Sequence, residues 1–327
     1  MALLNDRFGR SFPYLRLSVI EACNFRCSYC LPQGYRATSP HPSVLSLEEI
    51  RRLLQSFANV GMRKIRLTGG EPSVRKDLTD IIHTAASCAG IEKVALTTNG
   101  TLLHRRWQEW VRAGLTNLNV SVDSLDARQF AAITGDTHHD VLLNTIDEVL
   151  SSSTCTLKLN AVLLRGLNDD QLPDWLAYVR HRRIGVRFIE LMQTGNNFDY
   201  FKRHHYRADE IVKKLREDGW RALPCSMDAG PAIEYVHPDY QGRFGIIAPY
   251  AKDFCQGCNR LRVTAQGDLR LCLFGQVGIP LRPFLQKDED RELLTAKIQH
   301  YLGFKESGHR LQEGDTGLVP HLASVGG

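Results

Sequence analysis

Residues 14–190 alternate short β-rich runs with longer segments of helical periodicity. One such segment, residues 47–60, carries Leu47, Ile50, Leu54 and Phe57 at a spacing that forms one apolar helix face. Strands that alternate with helices in this way are typical of βα units around a parallel sheet. The pattern predicts six strands, at residues 15–20, 64–68, 94–98, 118–122, 157–163 and 186–190. We therefore predict an α/β fold.

Most of the predicted strands run directly into polar or glycine-rich residues. These residues are Thr-Gly-Gly-Glu-Pro at 68–72, Thr-Thr-Asn-Gly at 97–100, Ser-Val-Asp at 121–123 and Glu-Leu-Met at 190–192. In βα architectures the carboxyl edge of the sheet carries the active site. We therefore expect the functional side chains to meet at this edge.

The pattern changes near residue 220, where short strands, glycines and prolines replace the βα units. A hairpin is predicted around residues 265–268, Ala-Gln-Gly-Asp. No linker rich in Gly or Ser separates the two regions. We therefore predict two packed domains, residues 1–220 and residues 221–327.

The composition excludes several functional classes. Lys and Arg number 41 against 36 Asp and Glu, and a formal charge of +5 is too small to indicate nucleic-acid binding as the main task. Because no stretch reaches about 18 apolar residues and Asp6 and Arg7 interrupt the N-terminus, we expect a cytoplasmic protein without a membrane span. In that compartment the nine cysteines are expected to serve metal or redox chemistry rather than disulfides.

Three of these cysteines, Cys23, Cys27 and Cys30, form a CxxxCxxC motif directly after the first predicted strand. Three soft thiolates on one loop suit an iron–sulfur cluster, and three ligands leave one iron of a four-iron cluster open. Structural zinc normally takes four protein ligands, and no fourth Cys or His stands nearby in the sequence. The alternatives are buried cysteines without a metal, or half of a split zinc site.

A second set of three thiols, Cys255, Cys258 and Cys272, lies in the C-terminal region. Its CxxC pair leads into a predicted strand at 261–265, and Cys272 is expected on the partner strand of the hairpin. All three could therefore converge. The alternatives are a zinc ribbon that lacks one ligand, or a dithiol redox pair with a bystander.

Four arginines fall within predicted strands. Arg260 and Arg262 share one strand face, and Arg16 and Arg66 are each flanked by apolar residues. A strand buried on both faces rarely carries Arg without an anionic partner, and guanidinium groups match phosphate oxygens. A polyphosphate site is therefore predicted, although any one of these side chains could instead reach solvent or pair with a carboxylate.

Other residues receive no chemical role. Cys88, at a predicted helix end, and Cys155, at the start of a strand, are expected to be core thiols. Cys225 is left unassigned. The doublets His138–His139 and His204–His205 flank polar residues and predict solvated loops.

The CxxxCxxC loop, with Tyr29 just before its last cysteine, and the Gly-Gly-Glu-Pro segment at 69–72 resemble the radical S-adenosylmethionine superfamily. The resemblance implies that Cys23, Cys27 and Cys30 hold a [4Fe–4S] cluster whose open iron binds S-adenosylmethionine. It also implies that four residues line the S-adenosylmethionine pocket: Tyr29, Gly70, Ser121 and Met192.

Over nearly its whole length the chain resembles the branch of this superfamily that cyclises GTP in molybdenum cofactor biosynthesis. The matching motifs include Leu-Arg-Leu-Ser-Val at 15–19, Lys-Ile-Arg-Leu-Thr at 64–68, Val-Arg-Phe-Ile-Glu at 186–190 and the final Gly-Gly. The resemblance implies GTP contacts at Arg16, Arg66, Thr97, Lys158, Arg260, Leu261 and Arg262. It implies that Cys255, Cys258 and Cys272 hold a second [4Fe–4S] cluster that meets the guanine, and that Gly326 and Gly327 enter the active site.

The same resemblance implies an incomplete (β/α)6 barrel whose open side is closed by the cysteine-rich α+β extension, whereas six βα units alone would equally permit an open sheet. It implies a lyase that converts GTP to 3′,8-cyclo-7,8-dihydro-GTP through a 5′-deoxyadenosyl radical. One expected partner is an electron donor, and docking of cyclic pyranopterin synthase is left open. The chain is expected to form a monomer or a homodimer. The competing hypotheses are another radical enzyme with an auxiliary cluster, acting on a peptide, and a non-enzymatic electron carrier or zinc-stabilised protein.

Overall fold

The computed structural model describes residues 4–37, 43–224 and 229–326. Within these residues the strands form one sheet in the order β12-β11-β10-β1-β2-β3-β4-β5-β6-β9-β8-β7. The strands are β1 (Tyr14–Ser18), β2 (Lys64–Thr68), β3 (Lys93–Thr98), β4 (Asn117–Ser121), β5 (Thr156–Leu163), β6 (Gly185–Glu190), β7 (Arg221–Ala222), β8 (Ile233–Val236), β9 (Arg243–Ile247), β10 (Arg260–Val263), β11 (Asp268–Arg270) and β12 (Ile279–Pro280). The central strands, from β10 through β1 to β6 and then β9, pair in parallel.

Helices connect the parallel strands. They are α1 (Leu47–Asn59), α2 (Leu78–Ala86), α3 (Leu103–Arg112), α4 (Ala127–Thr134), α5 (His139–Ser152), α6 (Leu172–Arg180), α7 (Phe198–His204), α8 (Ala208–Glu217) and α9 (Arg291–Leu302). At least one helix follows each of the strands β1 to β6, so this part of the chain is a run of βα units. Short 3-10 turns include Arg282–Leu285 and, near the C-terminus, Leu322–Val325.

The α/β fold with a parallel sheet is confirmed. Each of the six predicted strands lies within two residues of an observed one, and the predicted helix at 47–60 is α1. The predicted hairpin is β10 and β11, which pair antiparallel. The C-terminal region adds strands to both edges of the six-stranded βα part: β9 pairs with β6, and β10 pairs with β1.

Three details differ from the sequence interpretation. Cys272 lies two residues beyond the end of β11 rather than on it. The prediction of solvated loops holds for the exposed His138, whereas His139 begins α5 as a buried residue and His205 hydrogen-bonds Glu190 over 2.8 Å. Both histidines have neighbours that the local sequence does not reveal. Cys225 lies outside the described residues.

The two faces of the sheet differ in chemistry. In β1, Leu15 and Leu17 are fully buried in the apolar core, and Arg16 points to the opposite face. The strand register places Arg262 of β10, Arg16 of β1 and Arg66 of β2 side by side. One face therefore packs in the core, and the other presents a row of guanidinium groups.

The first helix is joined to the C-terminal region by a buried carboxylate. Ser46 and Glu49 form a capping box at the start of α1, in which each side chain accepts a hydrogen bond from the other residue's backbone. Glu49 also accepts hydrogen bonds from Arg282, at 2.8 and 3.1 Å, and from Gln286 at 2.9 Å. This contact connects the βα part of the chain to the turn before α9.

Among the residues that the structure describes, no helix is both long and apolar enough to span a bilayer.

Candidate functional site

The N-terminal cysteine triad lies at the carboxyl ends of the parallel strands. Cys23, Cys27 and Cys30 line a cavity of about 170 Å³. The same cavity is lined by the four residues predicted to bind S-adenosylmethionine, which come from the cysteine loop, the segment after β2, the last position of β4 and the segment after β6: Tyr29, Gly70, Ser121 and Met192. The fold thus brings together all seven predicted residues of this group.

The Gly-Gly-Glu-Pro segment lies against the loop that carries the triad. The Gly70 N–H donates to the carbonyl of Ile20 at 2.9 Å, and a Cβ at Gly70 would overlap the carbonyls of Glu21 and Ala22. Only glycine permits this approach of the two backbones. The buried Glu71 carboxylate accepts from the Thr98 hydroxyl at 2.7 Å and so fixes the segment to the end of β3.

Tyr29 is held in place by a buried acid. Its hydroxyl donates to Asp123 at 2.9 Å, and the same carboxylate accepts from the Val162 N–H at 2.9 Å. Burial raises the pKa of Asp123 to about 6. Asp123 lies two residues beyond Ser121 and also lines the cavity, so it links the cysteine loop to the ends of β4 and β5.

The donor set fits a cluster better than a single ion. Burial raises the pKa of the Cys23 thiol to about 12, and such thiols ionise readily only when a metal binds them. Within residues 4–37, 43–224 and 229–326, no three His, Cys, Asp or Glu side chains converge on a site for one metal ion. The ligands of an iron–sulfur cluster bind different irons, so three thiols that line one cavity suit such a cluster.

The second triad lines a neighbouring cavity of about 140 Å³. Cys255, Cys258 and Cys272 converge there, although the hairpin separates the last from the other two. Burial alone would raise the pKa of Cys258, but the positive charges of Lys305 and Arg260 outweigh it and lower the pKa to about 7. The second triad is thus set among cations.

Arginines form the rest of this cavity wall. Arg16, Arg66, Arg187, Arg260 and Arg262 all line it. The pKa of Arg16 is held well below its ordinary value by burial and by the neighbouring positive charge of Arg262. The pKa of Arg187 is lowered to about 10 by burial and by the positive charge of Arg66. Arg66 donates to the Thr97 hydroxyl at 2.9 Å and to the hydroxyl of Tyr14. So many like charges in one buried wall favour a polyanionic ligand.

The two cavities adjoin one another. Thr97, Asn160, Ile189 and Met192 line both of them. A ligand in the arginine-lined cavity would therefore lie against a ligand at the N-terminal triad.

The C-terminal tail reaches both cavities. Leu322 and Ala323 line the N-terminal cavity, and their backbone N–H groups lie against the Cys30 sulfur. The Gly326 carbonyl accepts from Arg16 at 2.8 Å and from Arg262 at 3.4 Å. Gly326 has φ +66°, and a Cβ there would overlap the Thr68 side chain. Gly327 lies outside the described residues.

Two predicted GTP contacts lie elsewhere. The Leu261 side chain is fully buried in the apolar core, on the face of β10 opposite to Arg260 and Arg262, so only its backbone faces the site. Lys158 forms an ion pair with Glu234 over 2.6 Å and does not line either cavity within the described residues. Burial lowers the pKa of Lys158 to about 8.

The sequence interpretation missed several lining residues: Tyr14, Asn119, Asp123, Asn160 and Arg187. Arg187 is flanked by apolar residues in β6, so the rule that selected Arg16 and Arg66 applied to it equally. Asn119 precedes Ser121 by two positions and therefore shares its strand face. Tyr14 and Asn160 carried no comparable signal.

Family models cover most of the chain. The model described as the Radical SAM superfamily matches residues 17–179, and the model described as Molybdenum Cofactor Synthesis C matches residues 184–311. Among solved structures, SuiB of Streptococcus suis bound to S-adenosylmethionine aligns with a TM-score of 0.59 at 13% identity, over 92% of this chain and 73% of that one. At this identity the likeness concerns the fold alone.

Curated relatives match over their full length. The GTP 3′,8-cyclase of Stenotrophomonas maltophilia (strain K279a) is 61% identical over 331 residues, which cover 100% of both chains. The GTP 3′,8-cyclase of Aeromonas hydrophila subsp. hydrophila is 51% identical over 100% of this chain and 97% of its own. The chain therefore belongs to the GTP 3′,8-cyclase family of radical S-adenosylmethionine enzymes.

Proposed function

We propose that this chain converts GTP to 3′,8-cyclo-7,8-dihydro-GTP in molybdenum cofactor biosynthesis. Its family uses two [4Fe–4S] clusters and S-adenosylmethionine as cofactors. The observation that carries the proposal is that the two cavities share part of their wall, with one cysteine triad in each and an arginine-rich wall in the second. A nucleoside triphosphate there can meet both triads.

Each triad would hold one cluster: Cys23, Cys27 and Cys30 the first, and Cys255, Cys258 and Cys272 the second. When bound, these groups supply the reductive cleavage of S-adenosylmethionine and the removal of the 3′ hydrogen of GTP. A ribose C–H bond is not acidic enough for a side-chain base, so the protein's own contribution is binding, orientation and exclusion of water.

Arg16, Arg66, Arg260 and Arg262 would hold the triphosphate, because guanidinium groups form paired, charge-assisted hydrogen bonds with phosphate oxygens. Thr97 lies at the junction of the two cavities, where it would contact the nucleoside. Lys158 and the Leu261 backbone remain proposed contacts at the edge of this site. Fixing the triphosphate orients the ribose toward the first triad, and such positioning is a large part of catalysis.

The chain would hold S-adenosylmethionine through Tyr29, Gly70, Ser121 and Met192. The hydrogen bond from Tyr29 to Asp123 keeps the cysteine loop in register with β4 and β5. The tail, with Gly326 and Gly327, would cover the junction and exclude water from it.

We propose that the sheet curls into an incomplete (β/α)6 barrel whose open side is closed by the C-terminal extension. In support, residues of β1, β2, β5, β6 and β10 line one cavity, which a flat sheet of this strand order would not allow. The domain boundary between residues 220 and 221 is part of the same proposal.

The proposed setting is the cytoplasm, with an electron donor as a required partner and cyclic pyranopterin synthase as the enzyme that takes the product. The proposed oligomeric state is a monomer or a homodimer.

The test is an anaerobic reaction of reconstituted protein with S-adenosylmethionine, dithionite and GTP deuterated at C3′, followed by mass spectrometry of 5′-deoxyadenosine. Deuterium in 5′-deoxyadenosine supports both the radical step and its site. Unlabelled 5′-deoxyadenosine contradicts the proposal for the GTP C3′ position. If no 5′-deoxyadenosine forms although both clusters are intact, the proposed activity is wrong.

A further inference from the structure

Lys305 is a buried cation beside the second cysteine triad. Its residue surface is 3% exposed, and its ammonium group donates to the backbone carbonyl of Leu271, the residue before Cys272. The same group lies over the Phe12 ring, 5.3 Å from the ring centre. Lysine is almost never buried to this extent without a paired anion.

No carboxylate supplies that anion. Within the part of the chain that the structure describes, Lys305 forms no ion pair, and its hydrogen-bond acceptor is a neutral carbonyl. Arg10 offers an instructive contrast at the same triad. Arg10 donates to the Cys255 carbonyl at 3.1 Å, but Asp6 lies 2.6 Å away and balances its charge. Lys305 therefore carries a buried positive charge that no carboxylate in these described segments offsets, and it adds to the charge of Arg260 beside the triad.

We propose that Lys305 is the buried counter-charge of the second cluster and that it raises the reduction potential of that cluster. The inference rests on the proposed function, in which Cys255, Cys258 and Cys272 hold a [4Fe–4S] group. One-electron reduction adds one negative charge to the cluster. A fixed cation at short range in a poorly solvated site stabilises the more negative form, so it favours reduction.

The first triad has the opposite surroundings. Two buried carboxylates, Glu71 and Asp123, line its cavity. The effect of Lys305 is therefore expected at the second cluster alone, and the first cluster serves as an internal reference in the same molecule.

The experiment is a redox titration followed by electron paramagnetic resonance on reconstituted protein, with dithionite as the electron donor. In Lys305→Met, which keeps an unbranched side chain of similar shape but removes the ammonium group and its charge, the midpoint potential of the second cluster should become more negative. Lys305→Arg should keep the original potential. Lys297 provides a matched control, since it also lies over a phenyl ring, 4.8 Å from the centre of Phe284, and Lys297→Met should change neither cluster.

An unchanged potential in Lys305→Met, with both clusters present, overturns the inference. A shift of equal size in Lys305→Arg also overturns it, because shape rather than charge would then be responsible. Lys305→Met could bind only half the iron. In that case, full iron content in Lys305→Arg supports the counter-charge role, and loss of iron in both variants contradicts it. If the unaltered protein itself forms only one cluster, the assignment of the second triad has failed instead.

Discussion

Arg66 shows how a single buried cation can indicate a ligand. It is 5% exposed, it bonds to the Thr97 and Tyr14 hydroxyls, and it forms no ion pair with a carboxylate within the described residues. A charge-assisted hydrogen bond is worth about 1.5–3 kcal/mol, so Arg66→Ala should weaken GTP binding by roughly 10- to 100-fold. Calorimetric titration with GTP measures this directly.

Arg63 is the control for that experiment. It lies three residues earlier, its side chain is 58% exposed, and it pairs with Glu92 over 3.3 Å. Exposed ion pairs contribute about 0–1 kcal/mol to stability, and this arginine does not line the arginine-rich cavity. Arg63→Ala should therefore bind GTP like the unaltered protein. Equal losses of affinity in both variants would indicate a general charge effect instead of a specific contact.

At the residue scale, the sequence predicted a site residue where a local rule was available. An arginine between apolar neighbours in a strand is such a rule, and it selected Arg16 and Arg66, which line one cavity wall together with Arg262. Lys158 remains a proposed contact, but its ion pair with Glu234 of β8 was not predictable, because no local pattern reveals a contact across 76 residues of sequence. Asp123 was part of the polar segment predicted at the functional edge, but it received no role, because its partner Tyr29 lies 94 residues earlier in the chain.

At the element scale, α1 depends on Glu49 for its connection to the turn at Arg282–Leu285. Hydrogen bonds from Arg282, Ser46 and Gln286 outweigh burial and lower the pKa of Glu49 from 4.5 to about 2. The folded protein thus holds a proton there more weakly than the unfolded chain does. The ionised carboxylate stabilises the fold above about pH 4.5, and this contribution is lost as the pH falls toward about 2.

Glu49→Gln should accordingly lower the free energy of unfolding by about 1.5–3 kcal/mol at pH 7, the range for charged hydrogen bonds. The difference from the unaltered protein should shrink between about pH 4.5 and about pH 2. Urea titrations at a series of pH values measure both effects. Glu48→Gln is the comparison, because the Glu48 side chain is 63% exposed and forms an exposed ion pair with Arg51. A stability difference in Glu49→Gln that does not depend on pH would refute the argument.

The tail is the second element whose conformation can be tested. Gly326→Ala would combine a left-handed backbone with an overlap against Thr68, so the tail should leave Arg16 and Arg262. We expect product formation to fall at least tenfold while the iron content stays the same. Gly314→Ala is matched to it, because Gly314 has φ +79° but open space around its Cβ position.

The strain of a left-handed alanine alone is about 1–2 kcal/mol, and Gly314→Ala should show only a small loss of stability. Assays of GTP cyclisation and iron content on both variants separate strain from displacement of the tail. If the two variants are equally active, the contact of Gly326 with the arginines has no role in the reaction.

Elements built from local periodicity were predictable, and their neighbours were not. The six βα strands were predicted to within two residues because each strand coincides with a run rich in apolar residues. The sequence did not indicate that β9 pairs with β6 while β10 pairs with β1, since pairing between strands distant in sequence depends on the whole sheet. For the same reason the position of Cys272 beyond β11 was not predictable.

For the whole molecule, the two triads belong to different parts of the chain but line two adjoining cavities. Cys27 lies on the loop after β1, and Cys258 lies before β10, so each triad has its own supporting backbone. The two clusters should therefore assemble independently. Their cooperation in catalysis comes only from the shared cavity wall at Thr97, Asn160, Ile189 and Met192.

Reciprocal serine variants test this separation. Cys258→Ser should lose about half the iron and still cleave S-adenosylmethionine, but it should form no cyclised nucleotide, because GTP would lose the group that orients its base. Cys27→Ser should also lose about half the iron, and it should form no 5′-deoxyadenosine. Cys88→Ser, at a half-buried position after α2, should keep full iron and activity.

Iron analysis with chromatography of both products distinguishes these outcomes. Loss of all iron in either variant would mean that the two sites fold as one cooperative unit, whereas cleavage of S-adenosylmethionine by Cys27→Ser would contradict the assignment of the first triad.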